Sequence, residues 1–456
     1  MKKISLLIVS LCLSLSMMAK RIDTQTAMKI AKTFIPESNF VELRSGVTYS
    51  NIYIFSSKNS FIIISADDRA IPILAYSDEF PFVMENMPDN ITDWMTSLNE
   101  EIQYAIDNNI EATAEIRSDW DNLKKGIKPQ TKNRAAVKPL VKTHWNQDAP
   151  YNNMCPGGSD IATGCVATAM AQVMKYWEWP RTGQGSHSYY ENDYGTLSVN
   201  FSNTTYDWDN MIDEPTSSSS IEQQNAVATL MYHCGVSVDM DYGYESGAYS
   251  SDVVDALITY FDYDPNLQEI DRLYYSNTEW INILKSQLNS GYPLFYSGSS
   301  EIGGHAFICD GYDANDYFHF NWGWGGYCDG YYTIDALSPG SGGIGSGSGA
   351  YNEYNMIIVN ARPNTASINP PAIVIADVHG NDVTINWHES TMSWNFDNDT
   401  ENWTTINANN DDHTWYHSSE STNHNTQSGA SHNGNGHMMS ESYCNNSQQA
   451  ITPDDY

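Results

Sequence analysis

Positive charge is scarce in this chain. Its 456 residues hold 22 Lys and Arg against 56 Asp and Glu, a formal net charge of -34 at pH 7, and no Lys or Arg follows Arg362. Nucleic acids and anionic membrane surfaces are bound through clustered cations, so neither fits as the main partner. Paired cysteines are lacking too: the seven cysteines include no C-x-x-C, which argues against a zinc knuckle or a thioredoxin-type redox centre. The one long apolar run, Ile4 to Met18, sits at the amino end, and no other stretch could span a bilayer. Apolar and aromatic residues are plentiful by contrast. A 41% hydrophobic content with 13 Trp and 30 Tyr can fill several cores, and the length allows about two to four domains.

The amino end reads as an address. Lys2 and Lys3 precede the apolar run, and Met17-Met18-Ala19 puts a small residue before the expected cut, so residues 1–19 are a signal peptide and the destination is extracellular or the cell surface. Cys12 follows Leu11 where a lipoprotein signal wants a small residue, which disfavours lipid attachment. Export permits disulfides, but spacing alone pairs none of Cys155, Cys165, Cys234, Cys309, Cys328 and Cys444. Cys234, Cys309 and Cys328 stand in apolar or aromatic surroundings and read as small buried residues.

Residues 20–134 read as a compact unit. Ala27, Ile30, Ala31 and Phe34 make one helical face, Ile52 to Phe55 and Phe61 to Ile64 are strands, and Trp94, Leu98, Ile102 and Ile106 form a second stripe. The basic, Gly- and Pro-containing stretch Lys124 to Arg134 is then an exposed linker open to proteolysis. From 135 to about 361 the pattern predicts helices at Cys165 to Trp177, Ile221 to Cys234, Ser251 to Phe261 and Thr278 to Asn289. Strands follow at Tyr292 to Tyr296, Ala306 to Asp310, Tyr317 to Trp322 and Tyr331 to Ile334. Helices first and strands later argue for an α+β fold. Val166, Met170, Val173 and Trp177 recur at helical spacing, which predicts a helix buried on one side. Pro339 to Ala350 is too rich in Gly for regular structure and suits a loop over a site. Beyond it, Pro371 to Trp387 has two alternating runs around Gly380-Asn381, the pattern of an antiparallel hairpin.

The chemistry centres on two residues. Cys165 opens a predicted helix, whose amino end favours a thiolate, and His305 enters a predicted strand behind Gly303 and Gly304, which let a substrate backbone approach. A Cys and a His alone are a weak signal, and the neighbouring residues sharpen it. Asn321 could accept from the imidazole while Trp322 shields it, and Gln147 could donate to an oxyanion beside the Cys165 N–H.

With these residues assembled, the chain closely resembles the streptopain family of papain-like cysteine peptidases, in the form found in Bacteroidota. Ala162 to Gln172, Gly303-Gly304-His305-Ala306-Phe307, Asn321-Trp322-Gly323-Trp324-Gly325-Gly326 with Asp329-Gly330, and the Gly-rich loop before Tyr351 carry the likeness. The resemblance implies Cys165 as nucleophile, His305 as general base and acid, Gln147 in the oxyanion hole, and Asn321 and Trp322 orienting and covering the histidine. It implies an inhibitory propeptide over 20–134, a peptidase over 135–363 with two papain-like subdomains, protein or peptide substrates, and no cofactor or metal. Residues 364–390 look fibronectin-III-like. Residues 391–456 look like part of a cleaved-adhesin jelly roll, which implies a host or cell-surface ligand. Asp397, Asp399, Asp411 and Asp412 are candidate calcium ligands there, though such turn residues are more often solvated. His413, His417, His424, His432 and His437 lack metal-site spacing. The chain ends without a visible closing strand, which suggests an incomplete module. Two other readings stay open: a catalytically inactive adhesin, and a different Cys-His acyl transferase of the transglutaminase or amidase kind.

Overall fold

The run Phe61-Ile62-Ile63-Ile64 has no polar alternate to turn toward water, and in the computed structural model every residue of the strand Phe61–Ser65 is buried. A strand apolar on both faces needs cover on both. The structure describes residues 21–334 apart from 37, 44–48, 86, 88, 129–135, 159 and 301–302, then 355–364 and short strands between 374 and 440. Residues 1–19, the Gly-rich stretch 339–350, the four candidate calcium ligands, Cys12 and Cys444 lie outside the described residues.

The leading segment contains α1 (Thr24–Phe34), β1 (Val41–Leu43), β2 (Ile52–Ser56), β3 (Phe61–Ser65), β4 (Ile73–Ser77), α2 (Asp89–Asp107) and α3 (Ala114–Lys124). After the linker come α4 (Cys165–Trp177), the hairpin β5 (Ser186–Glu191) and β6 (Gly195–Asn200), α5 (Ile221–Ser237), α6 (Asp252–Phe261), β7 (Gln268–Asp271) and α7 (Asn277–Asn289). The strands β8 (Leu294–Ser300), β9 (Gly303–Tyr312), β10 (Phe318–Asn321), β11 (Gly330–Tyr332) and β12 (Met356–Val359) complete it. The α+β order expected from the pattern is present. Among the described residues no helix is long and apolar enough to cross a membrane.

Local chemistry explains the helix starts. Asp23 Oδ1 accepts from the Thr26 N–H at 2.9 Å, and Ser220 with Gln223 and Ser276 with Glu279 form capping boxes. The expected face of α1 is buried at Ala27, Ile30, Ala31 and Phe34. Helix α3 was not expected, although Thr113 caps it and Ile116, Trp120 and Leu123 are buried at helical spacing. The β5–β6 hairpin and strands β4, β7 and β12 were likewise not foreseen. The one-sided burial expected for α4 is corrected: all nine residues from Val166 to Met174 are buried, because the helix packs against both β9 and α5.

The sheet decides the architecture. Ten antiparallel-paired strands run in the order β1-β2-β3-β4-β11-β10-β9-β8-β12-β7, so the strands before the linker continue directly into those after it. The junction pairs Tyr76 with Tyr331 and Ala75 with Tyr332. The leading segment therefore does not close on itself, and the chain through Asn364 forms one compact unit. Period-two alternation divides β9 between two cores. Ala306 and Ile308 join the apolar residues of α4, α5 and α6; Phe307 and Cys309 join those of the leading segment and α7.

Gly330 at the junction shows how close the approach is. A Cβ there would lie 2.6 Å from the Tyr76 carbonyl oxygen, 3.0 Å from Ser77 Cβ and 3.1 Å from Phe61 Cζ, all atoms of the leading segment. Gly330→Ala is expected to cost the full chain about 1–3 kcal/mol, seen as a lower Tm. A chain cut at the linker and freed of its leading segment should tolerate the same change. Equal losses in both forms would contradict this account.

A second compact unit begins at Thr365. There β13 (Val374–His379) pairs antiparallel with β14 (Asp382–Trp387), as the alternating runs predict. The strands β15 (Trp415–Ser418), β16 (Gln427–Ser428) and β17 (His437–Ser440) form a small sheet in the order β15-β17-β16.

Candidate active site

Gly164 enters α4 at a φ of +86°, where glycine is at ease and other residues are strained. A Cβ at this position would also meet Met240 Sδ at 2.6 Å. No side chain caps this helix end, so its first N–H groups are left for negative charge arriving there. Cys165 follows at once and is partly buried. Burial pushes its thiol up, but the charge of His305, the His305 hydrogen bond and the backbone hydrogen bonds of Ala306 and Val166 together outweigh it, and the thiol is held below its ordinary value. The two residues singled out in the sequence are thus brought together.

The other cysteines differ. Cys155, Cys234, Cys309 and Cys328 are buried and free of disulfides. Burial pushes Cys155 and Cys328 up to about 12, and Cys234 and Cys309 are raised for the same reason.

His305 stands near the start of β9, opposite Gly298, with Gly303 and Gly304 paired to Ser300 and Ser299. Its Nε2 lies 3.2 Å from the Trp322 carbonyl oxygen and 3.3 Å from Trp324 Nε1. The Trp324 ring lies nearly parallel to the imidazole, 19° between planes and 6.0 Å between centroids. Trp322 reaches His305 through its main-chain carbonyl, and the Asn321 and Trp322 side chains make contacts of their own. Asn321 Oδ1 accepts from Gly323 N at 3.0 Å and Gln172 Nε2 at 3.2 Å. Its Nδ2 donates to the Thr143 carbonyl at 2.7 Å and to Gln172 Oε1 at 3.2 Å. The Trp322 indole donates to the Cys328 carbonyl at 3.1 Å and packs on Phe307, Phe320 and Tyr332. The physical reason is the turn. Strand β10 stops at Asn321, and Gly323, at a φ of +75°, reverses the chain, so a main-chain carbonyl and the second indole meet the histidine.

Gln147 is buried, and its carbonyl accepts from Thr163 N at 3.0 Å, beside the approach to Cys165. Its side-chain amide makes no hydrogen bond among the described residues, which leaves it able to donate. Sequence reasoning also passed over Asp329. This fully buried carboxylate accepts from Trp322 N at 2.9 Å and lies 3.5 Å from His144 Nδ1. Burial pushes it up against the opposing pull of His144 and the Trp322 N–H. Asp329, Gln172 and Trp324 all stand inside quoted motifs, but nothing in their spacing distinguishes an orienting role from a packing one.

The leading segment touches His144 and the loop that follows this turn. The Phe80 ring lies 4.7 Å from the His144 ring, and a Cβ on Gly326 would come within 2.7 Å of it. Cys328 Sγ lies 3.8 Å from the Val83 carbonyl.

The Peptidase C10 family matches residues 145–332 and the Spi protease inhibitor family matches residues 19–102. Streptopain of Streptococcus pyogenes serotype M28 is 35% identical over 349 residues, covering 71% of this chain and 83% of the relative. The Thiol protease/hemagglutinin PrtT of Porphyromonas gingivalis is 33% identical over 332 residues, 70% of this chain and 37% of that protein. Among solved structures, a fragment of Prevotella intermedia prointerpain A is similar with a TM-score of 0.59 and 34% identity, covering 71% of this chain and 99% of the fragment. The α+β architecture is accordingly papain-like, and a helix-end thiol held low by a strand-borne imidazole stands inside the matched region. This chain belongs to the Peptidase C10 family and is a cysteine endopeptidase in zymogen form, its leading segment being of the Spi inhibitor type.

Proposed function

We propose that the chain is exported through residues 1–19, held latent by residues 20–134, and matured by cleavage in the linker to an endopeptidase over 135–363. The residues beyond 364 serve adhesion to a host or cell-surface ligand. Cys165 is the nucleophile. His305, whose Nε2 lies against the Trp322 carbonyl and the Trp324 indole, takes the thiol proton as general base. The thiolate attacks the peptide carbonyl, and the resulting oxyanion is met by the Cys165 N–H and the Gln147 amide. His305 then protonates the leaving amine as the C–N bond breaks and a thioester remains. Water, giving its proton to His305, attacks the thioester; the acid is released and the thiol restored. Latency follows from the leading segment resting on the loop just beyond the turn that orients His305.

The observation that supports this reading is the depressed Cys165 thiol at an uncapped helix end against His305. At pH 7 Cys165 is expected to alkylate with iodoacetamide well before the four buried thiols, and casein hydrolysis should fall in step with that single modification. Peptide mapping by mass spectrometry beside an activity assay checks both. Hydrolysis that survives full labelling of Cys165 would overturn the assignment. Labelling without any hydrolysis in the activated chain would favour the inactive adhesin, and turnover of amides other than peptides would favour the acyl transferase.

A further inference from the structure

Gln172 lies seven residues beyond Cys165 on the same helix and is fully buried, which puts the two on one face, two turns apart. Its Oε1 accepts from Thr143 Oγ1 at 2.8 Å, from Trp145 N at 3.3 Å and from Asn321 Nδ2 at 3.2 Å. Its Nε2 donates to Asn321 Oδ1 at 3.2 Å. Asn321 passes the linkage on, from Nδ2 to the Thr143 carbonyl and from Oδ1 to the Gly323 N–H.

Three segments meet at this one side chain. The first is the helix that begins with Cys165. The second is the stretch 143–145, which leads into Gln147. The third is the turn 321–324, which sets the Trp322 carbonyl and the Trp324 indole against His305. Apolar packing surrounds α4 on all sides, but it is non-directional and tolerates a small slide or rotation. Buried, hydrogen-bonded amides do not, since each broken bond strands a polar group without water.

We infer that Gln172 is a positioning residue of the Cys165–His305 pair, holding the nucleophile helix in register with the turn that orients the imidazole. The inference rests on the reading of Cys165 and His305 as the reacting pair. It adds that the geometry of that pair is set by a hydrogen-bonded amide two helical turns away.

The test uses the full chain, activated by limited proteolysis of the linker, with variants Gln172→Leu, Gln172→Glu, Asn321→Leu and the double Gln172→Leu, Asn321→Leu. Three quantities are read: kcat and KM on a fluorogenic peptide, the pH profile of Cys165 alkylation by iodoacetamide, and Tm. Gln172→Leu should lower kcat about 10- to 100-fold with KM changed less than about threefold, the scale expected of a misplacement of about 1 Å. Its alkylation profile should move up toward that of an ordinary thiol, which loss of packing alone would not cause. In Gln172→Glu a protonated carboxyl can still bridge to Asn321, so its kcat relative to the parent should be highest at low pH and fall as the carboxyl ionises. The double variant should be no slower than the slower single variant, because the two amides act as one unit.

Parental kcat and alkylation profile in folded Gln172→Leu, or losses that multiply in the double variant, would overturn the inference. Should Gln172→Leu fail to fold, Gln172→Glu decides: a parental kcat ratio at every pH overturns the role, and a ratio falling with pH supports it. Failure of the underlying reading looks different, as undiminished hydrolysis by Cys165→Ala.

Discussion

Cys165→Ala is expected to lose hydrolysis of casein and peptides by roughly 10⁴-fold or more in kcat, the scale seen when a covalent nucleophile is removed. The fold should survive. Cys165 is only partly buried, alanine keeps the helix start, and the residues that follow, Val166 to Met174, are buried in their own right. The loss would therefore be chemical, since no other side chain at the helix end can form the thioester. Size analysis over time adds a second reading. If maturation is the work of this same site, Cys165→Ala stays at full length while the parent shortens. If another protease cuts the linker, both shorten and only the parent digests casein. Equal digestion by both chains would place the chemistry elsewhere and end the proposed mechanism.

Trp94→Ala should produce the largest change in latency and stability. Trp94 lies on α2 in the leading segment and is buried. Its Nε1 donates to the Thr333 carbonyl at 3.2 Å, and its ring meets Tyr332 edge-on with 4.8 Å between centroids. Both partners belong to the far side of the linker, next to the short β4–β11 junction. Removing an indole from such a site costs about 3–5 kcal/mol. If most of that loss falls on docking, occupancy of the leading segment on the peptidase falls by about two to three orders of magnitude. A lower Tm of the uncut chain and detectable hydrolysis before linker cleavage are the expected results, measured by calorimetry and a fluorogenic peptide. A Tm close to that of the parent with unchanged latency would show that the junction is held by something other than this indole.

Local patterns carried much of the reading. The Cys165 helix was legible over its full length to Trp177, because its apolar spacing and the glycine before it are features of neighbouring residues. The same holds for the face of α1 at Ala27, Ile30, Ala31 and Phe34, and for the β13–β14 hairpin. Strands β4 and β12 were missed because four or five apolar residues fit a strand or a helix fragment equally well without knowledge of the partner. Burial around the whole of α4 was missed for a related reason: a helical stripe shows which face is apolar, and says little about small residues such as Ala167 and Ala171 that pack on the remaining sides.

The site divides along the same line. That a thiol at a helix end would work with an imidazole on a strand followed from residue chemistry and motif order alone, since both depend on side chains and their immediate neighbours. Which groups hold that imidazole depended on the fold. A left-handed glycine after Trp322 sends the chain back, so Asn321 turns to Gln172 while the Trp322 carbonyl and the Trp324 indole reach His305. The joining of the leading strands to the peptidase sheet is likewise a matter of long-range pairing, between Ala75–Tyr76 and Tyr331–Tyr332. Residues about 250 positions apart carry no mutual signal in a single sequence, because backbone hydrogen bonds between strands are open to nearly any side chain.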